Sequence, residues 1–171
     1  MRERLAEAEP AVIERGEQPY VGIRQNVSMR TIGRIADRIP DVLGWLASHG
    51  VPADGAPFLR YHVVDGQDRL EVEAGVPVGE TITPPAGDVV AAGVLPGGTY
   101  VVSTHRGPFE QLAEVTTGLL AWASQQGLRW DVSPTRQGEL WACRLEIYHT
   151  NPIEHPDPAD WETTLAFKLA T

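Results

Sequence analysis

Lysine and cysteine are nearly absent from this chain. One of its 14 basic residues is a lysine, Lys168, among the last four positions, which argues against Schiff-base chemistry and lysine-built phosphate cradles. Lys168 itself reads as an edge-strand charge. The single cysteine, Cys143, excludes a disulfide framework or a cysteine-rich zinc site within one chain. One unpaired thiol fits a reducing cytoplasm, the location expected here. Long hydrophobic runs are missing too: nothing approaches membrane-spanning length, and no apolar segment follows Met1. Positive charge is scarce, with 23 acidic side chains against 14 basic and a net charge of −9. That balance speaks against nucleic acid and against an anionic membrane surface as partners. What remains is ordinary soluble material, 42% hydrophobic and 22% charged, and 171 residues suffice for a core without staples.

Read in order, residues 1–9 form a charged, alanine-rich, flexible lead-in. Residues 10–171 read as one domain made of two halves, about 10–78 and 98–170, bridged by 79–97. Val12 to Ile23 has β character. From residue 29 to 49 the stripe Ile32, Ile35, Ala36, Ile39, Val42, Leu43 and Leu46 has helical period, with a kink or break expected at Pro40. Phe58–Val64 and Leu70–Val78 are strands joined at Asp65-Gly66. The order then restarts. Thr99–His105 is a strand, and Gly107-Pro108 opens a helix whose stripe runs from Phe109 to Ala123. Glu139–His149 is a strand, and Trp161–Leu169 is the last.

This restart is an internal repeat. Leu43-Gly44-Trp45 through Gly50 aligns without a gap on Leu120-Ala121-Trp122 through Gly127, Tyr20-Val21 matches Tyr100-Val101, and the Tyr61-His62 strand matches the Tyr148-His149 strand. Each half reads β-α-β-β. Two such units sharing an antiparallel sheet give an α+β fold with helices on one face. The other face, if bare, must be covered or form a ligand pocket. Trp45 and Trp122 are expected in the core.

Alternation places Leu145 and Ile147 on one face, expected under the helices, and Arg144, Glu146 and Tyr148 on the other, facing the pocket. A carboxylate beside a phenol on an apolar face calls for a cation or a raised pKa. Arg144 could pair with Glu146 in an internal salt bridge. Alternatively, Glu146 waits for a ligand cation or acts as a general base. In the repeat Leu59 matches Glu146 and Tyr61 matches Tyr148, so the acid is offered once and the tyrosine twice. Aromatic walls with one carboxylate suit a flat or cationic organic molecule. Trp130 and Trp141 are placed at the pocket mouth, and Trp161 anchors the proline loop before it. His62 and His149 fall on the face away from the tyrosines, no metal-ligand spacing is present, and Cys143 shares the Leu145 face as core. The ligand-binding set is therefore Glu146, Tyr148, Tyr61, Leu59, Arg144, Trp141 and Trp130, with no metal and no cofactor.

The order of elements, the stretch Tyr100-Val-Val-Ser-Thr-His105-Arg-Gly107-Pro-Phe109-Glu-Gln-Leu112, the Glu146-Ile-Tyr148 strand, and Asn151-Pro152 through Trp161 resemble the GyrI-like family of small-molecule-binding domains. The same domain serves as effector-binding module in AraC- and MerR-type regulators. The resemblance implies a pocket between the halves with Glu146 at its base. It further implies ligands that are hydrophobic and often cationic or planar, in a sensing or sequestering role. Some stand-alone members of the wider family hydrolyse cyclopropane-bearing alkylating natural products. That alternative makes Glu146 the residue that orients or deprotonates water and Tyr148 a catalytic hydrogen-bond donor. A gyrase-inhibitor-like protein-interaction module is the third reading. About ten residues precede the first strand, so direct DNA binding is not expected, and the chain reads as a monomer or weak homodimer.

Overall fold

Strands and helices alternate as two repeated units require. The computed structural model describes residues 9–66 and 68–171, so the expected lead-in, Glu9 apart, lies outside the described residues. The first half contains β1 (Ala11–Arg15), β2 (Gln18–Val27), α1 (Ile32–Ala36), α2 (Ile39–Ser48), β3 (Phe58–Asp65) and β4 (Arg69–Pro77). A short β5 (Ala91–Leu95) follows. The second half contains β6 (Gly98–Arg106), α3 (Leu112–Gln125), β7 (Val132–Thr135), β8 (Gly138–Trp141), β9 (Arg144–Tyr148) and β10 (Glu162–Lys168). Pro40 divides the first helical stripe as expected. It sits in the first turn of α2, where its missing N–H costs nothing. None of the helices among the described residues is long and apolar enough to cross a membrane.

The fold is α+β. Eight strands lie in the order β1-β6-β10-β9-β3-β4-β2-β5, each pair antiparallel, and β7 and β8 form an extra ribbon against β3. The halves meet at β3 and β9, where Leu59 stands directly opposite Glu146. These are the two positions the repeat aligns, so they form the central pair of the seam.

Neighbours in sequence lie at opposite ends of this order. Gly16-Glu17 joins β1 to β2, and Pro96-Gly97 joins β5 to β6. The sheet must therefore curl until its two ends are side by side. Gly97 packs so closely on this crossing that a Cβ there would lie 3.2 Å from the Glu17 nitrogen. The concave face thus covers itself. Tyr20, Phe58, Leu95, Tyr100, Cys143, Leu145 and Ala166 fill it as a continuous core. Gly75 makes room for the Phe58 ring, since a Cβ would come within 2.5 Å of it.

The convex face carries the helices. α1 sets Ile35 against Leu59, Tyr61, Val72 and Ala74. α2 sets Val42 and Leu46 against Val21, Ile23 and Val76. α3 covers Val101, Leu165 and Phe167 with Leu112 and Leu119. Burying each such side chain contributes about 1.5–3 kcal/mol, so both faces are held by comparable cores.

Three expectations need correction. The first concerns faces. Glu146 is paired across the sheet with Leu59 and Leu165, which pack on the helix side, while Leu145 belongs to the concave core. Arg144, Glu146 and Tyr148 therefore share the helix-bearing face. Alternation sorts residues into two sets but does not say which set the helices cover. The second is the continuous strand over 139–149, which is two strands, broken at Ala142-Cys143. There the backbone is claimed from elsewhere: Ala142 N–H donates to Asp131 O at 3.0 Å, and Lys168 N–H to Cys143 O at 2.9 Å. The third is Lys168, which lies on the interior strand β10, 6% exposed, and pairs through Nζ with Asp131 at 2.8 Å.

Candidate functional site

The β3–β9 seam builds the site. Side chains two apart share a face, so Arg144 and Tyr148 flank Glu146 along β9, and Tyr61 reaches it diagonally from β3. The Tyr148 hydroxyl donates to Glu146 Oε1 at 2.7 Å, and the Tyr61 hydroxyl also bonds to the carboxylate. Burial raises the Glu146 carboxyl above its ordinary value, and the two phenols and the Arg144 charge pull it down without prevailing. The magnitudes agree: a hydrogen bond to a charge returns about 1.5–3 kcal/mol, against several kcal/mol for desolvating a carboxylate. Burial raises both tyrosine hydroxyls as well, with Glu146 adding to the effect, so at neutral pH they are donors.

Among the described residues no salt bridge joins Arg144 to Glu146, although each feels the other's charge. The Arg144 Cζ lies 4.8 Å from the Phe167 ring centre, 4.9 Å from Trp141 and 5.6 Å from Tyr61. Burial lowers its pKa from the ordinary value. Behind it Trp130, Trp141 and Phe167 form a triangle with ring centres 5.7–5.8 Å apart.

A second aromatic series leads outward. Tyr148 meets Phe109 at 5.4 Å, and Phe109 meets Trp161 at 4.5 Å. The Trp161 indole donates to His155 O at 2.7 Å, fastening the proline-rich loop as expected. Phe109 is 38% exposed, although it is a large ring touching the Tyr148 phenol. A half-buried carboxylate between two phenols, walled by rings and reached past an exposed phenylalanine, can seat a planar body. It can also bond to its polar edge or accept a proton from water.

Residues 8–170 match the GyrI-like small molecule binding domain. The chain belongs to this family. Solved structures with the same fold include EcmrR in its DNA complex, with a TM-score of 0.77 and 19% identity over 98% of this chain and 59% of that one. The chain thus spans 59% of EcmrR's length. SAV2435 bound to tetraphenylphosphonium gives 0.63 and 12% identity, covering 95% of this chain and 94% of that one. A hydrolase from Listeria innocua gives 0.58 and 16% identity, covering 95% and 92%. At such identities the likeness is one of fold. No curated protein matches the chain in sequence.

In this GyrI-like domain Glu146, Tyr148, Tyr61, Leu59 and Arg144 come together at the seam. Trp141 and Trp130 stack behind Arg144 instead of lining a mouth, and Trp141 is 4% exposed. The strand break at Ala142-Cys143 makes this possible, since unbroken alternation would put Trp141 and Arg144 on opposite faces. Phe109, Phe167 and Trp161 complete the surroundings and were not among the expected site residues. The signal available for Phe109 is its place just after Gly107-Pro108, where the first turn of a helix opens. His62 faces away from Tyr61, as alternation requires, and bonds to Glu73 at 2.8 Å. A cleft of about 660 Å³ opens elsewhere, lined in part by Asn26, Thr31, Asp68, Arg69 and Gln137, and none of the expected site residues borders it.

Proposed function

We propose that this chain binds hydrophobic, planar small molecules, lipophilic cations among them, between its two halves. Glu146 is the base of the site, Tyr61, Tyr148 and Leu59 surround it, and Arg144, Trp141 and Trp130 form one wall. The role is that of a sensor or a sink. The carrying observation is Glu146 itself, a carboxylate flanked by two phenols with no ion-pair partner among the described residues, beside rings that reach the surface. SAV2435, alike in fold, was solved with tetraphenylphosphonium, a ligand of the lipophilic cation class. Fluorescence titration with several cationic dyes should give saturable binding, weakened about tenfold in Glu146→Gln, the size of one lost charge contact at about 1.4 kcal/mol. If no dye saturates, the binding reading fails.

The Tyr148–Glu146 pair, together with the fold likeness to a hydrolase, favours one second reading. Glu146 takes a proton from water as it adds to the strained ring of a cyclopropane-bearing alkylating molecule. Tyr148 or Tyr61 donates to the carbonyl where negative charge develops. Mass spectrometry of such a compound incubated with the chain should show the hydrated, ring-opened product, absent with Glu146→Gln. Equal product formation in that variant removes Glu146 from the reaction.

A further inference from the structure

Arg144 is a cation that its surroundings leave unfinished. Three ring faces lie within 5.6 Å of its Cζ. Contacts with ring faces compensate the charge, but they do not occupy the N–H donors of the guanidinium fork. Among the described residues no protein oxygen accepts from those donors, and the nearby Glu146 is taken up by Tyr148 and Tyr61. Trp141, which stacks on Arg144, is 4% exposed, and its indole Nε1–H has no acceptor either. Buried donors are nearly always matched, and each unmatched one costs about 1–3 kcal/mol. The Trp141 indole is such a buried donor, and the neighbouring Arg144 fork, only partly buried, has its N–H groups free of protein acceptors among the described residues.

We propose that Arg144 and the Trp141 indole form a donor half-site for an oxygen acceptor on the ligand, so that among planar hydrophobic molecules the site ranks carboxylates first and permanent cations last. The guanidinium fork matches a carboxylate with two parallel bonds, which no cation can offer. Arg144 also already occupies the space among Trp141, Phe167 and Tyr61 where an incoming cation would find its ring faces. The raised carboxyl of Glu146 lessens its repulsion of an anion. This ranking rests on the binding reading above and names the ligand class of that same site.

Three probes with one ring system separate the possibilities: 2-naphthoate, 2-naphthamide and 2-naphthyltrimethylammonium, titrated by calorimetry into the full chain. The expected order is naphthoate tightest, by about tenfold or more over the trimethylammonium compound. Arg144→Met should lose about tenfold for naphthoate and gain for the cation. Arg144→Lys, which keeps the charge without the fork, should fall between. Trp141→Phe should weaken naphthoate and naphthamide by a larger factor than the cation, and it carries the test if Arg144→Met does not fold. A reversed order in the unaltered chain, or naphthoate affinity indifferent to both Arg144→Lys and Trp141→Phe, overturns the half-site. Binding of all three probes without order by charge overturns it while leaving the binding reading intact. No binding of any probe sinks both.

Discussion

Glu73 and Glu146 lie on opposite faces of one sheet and meet opposite electrostatic fates. Glu73, on the concave face and 4% exposed, accepts from Tyr20 at 2.6 Å and from His62 Nε2 at 2.8 Å. Arg24 reaches His62 at 3.0 Å and Glu71 at 2.7 Å, and Arg60 donates to the Tyr20 hydroxyl at 3.0 Å. Burial alone would raise the Glu73 carboxyl. The bonds from His62 and Tyr20 and the charges of His62 and Arg24 overcome it, and its pKa falls below the ordinary value. Glu146 is half-buried and also bonded, but by two phenols, and desolvation raises its pKa. The difference is the kind of partner. A hydroxyl supplies a bond without a charge, and a nearby guanidinium committed to ring faces supplies too little. One carboxylate is locked into the fold, while the other is the one proposed above to meet a ligand.

The largest effect that can break this comparison is truncation. Glu73→Ala leaves His62 and Tyr20 without their shared acceptor and Arg24 without a neighbouring opposite charge, and it should cost about 3–5 kcal/mol in urea unfolding. Glu146→Ala should cost under about 1 kcal/mol, since the lost bonds are offset by relief of a desolvated charge. Equal losses would mean that both acids serve the fold alike.

The next test is the dependence on pH, where the two should show opposite signs. The folded-state pKa of Glu146 is raised, so its ionisation opposes folding as pH climbs past the ordinary carboxylate value. Glu146→Gln should then stabilise the chain at pH 8, with the gain fading toward pH 4. The folded-state pKa of Glu73 is lowered, so its contribution is present above the ordinary value and is lost as pH falls through the lowered one. Glu73→Gln should therefore cost most at pH 8 and least in acid. Denaturant unfolding of both variants at several pH values checks the two slopes, and parallel slopes would remove the distinction.

The half of this comparison that holds the candidate site could be read from the sequence. Glu146 stood out because alternation set it beside Tyr148 on an apolar strand, and the repeat gave it Tyr61 and Leu59 as counterparts. The helical stripes and Pro40 carried the α+β order for the same reason: periodicity is local. Glu73 was illegible because its partners are not local. His62 reaches it only through the pairing of β3 with β4, across a bulge between Tyr61 and Val63, and Tyr20 through β2 against β4. On its own strand Glu73 looks like a solvated acid between Val72 and Ala74. The covered face was illegible for a related reason. Only the curl of the sheet, set by two crossing links, shows that Leu145 is enclosed without helices.

The smallest effect sharpens the comparison most, because it changes one hydroxyl on each side. Tyr148→Phe removes a bond that favours the Glu146 anion, so the carboxyl should rise further. Tyr20→Phe removes a bond that favours the Glu73 anion, and its carboxyl should move back toward the ordinary value while His62 and Arg24 still hold it down. Both pKa values therefore move up, from opposite sides of the ordinary one. In stability the variants should part company. Tyr20→Phe takes a donor from an ionised, fully buried acid and should cost about 1–2 kcal/mol at neutral pH. Tyr148→Phe takes one from an acid that Tyr61 still serves and that readily becomes neutral, and it should cost less. Carbon-13 titration of the two carboxyl groups, with unfolding at pH 7, reads both quantities. A Glu146 carboxyl that falls in Tyr148→Phe would mean that the phenol stabilises the neutral acid, and that the site holds a proton donor where a carboxylate is now assigned.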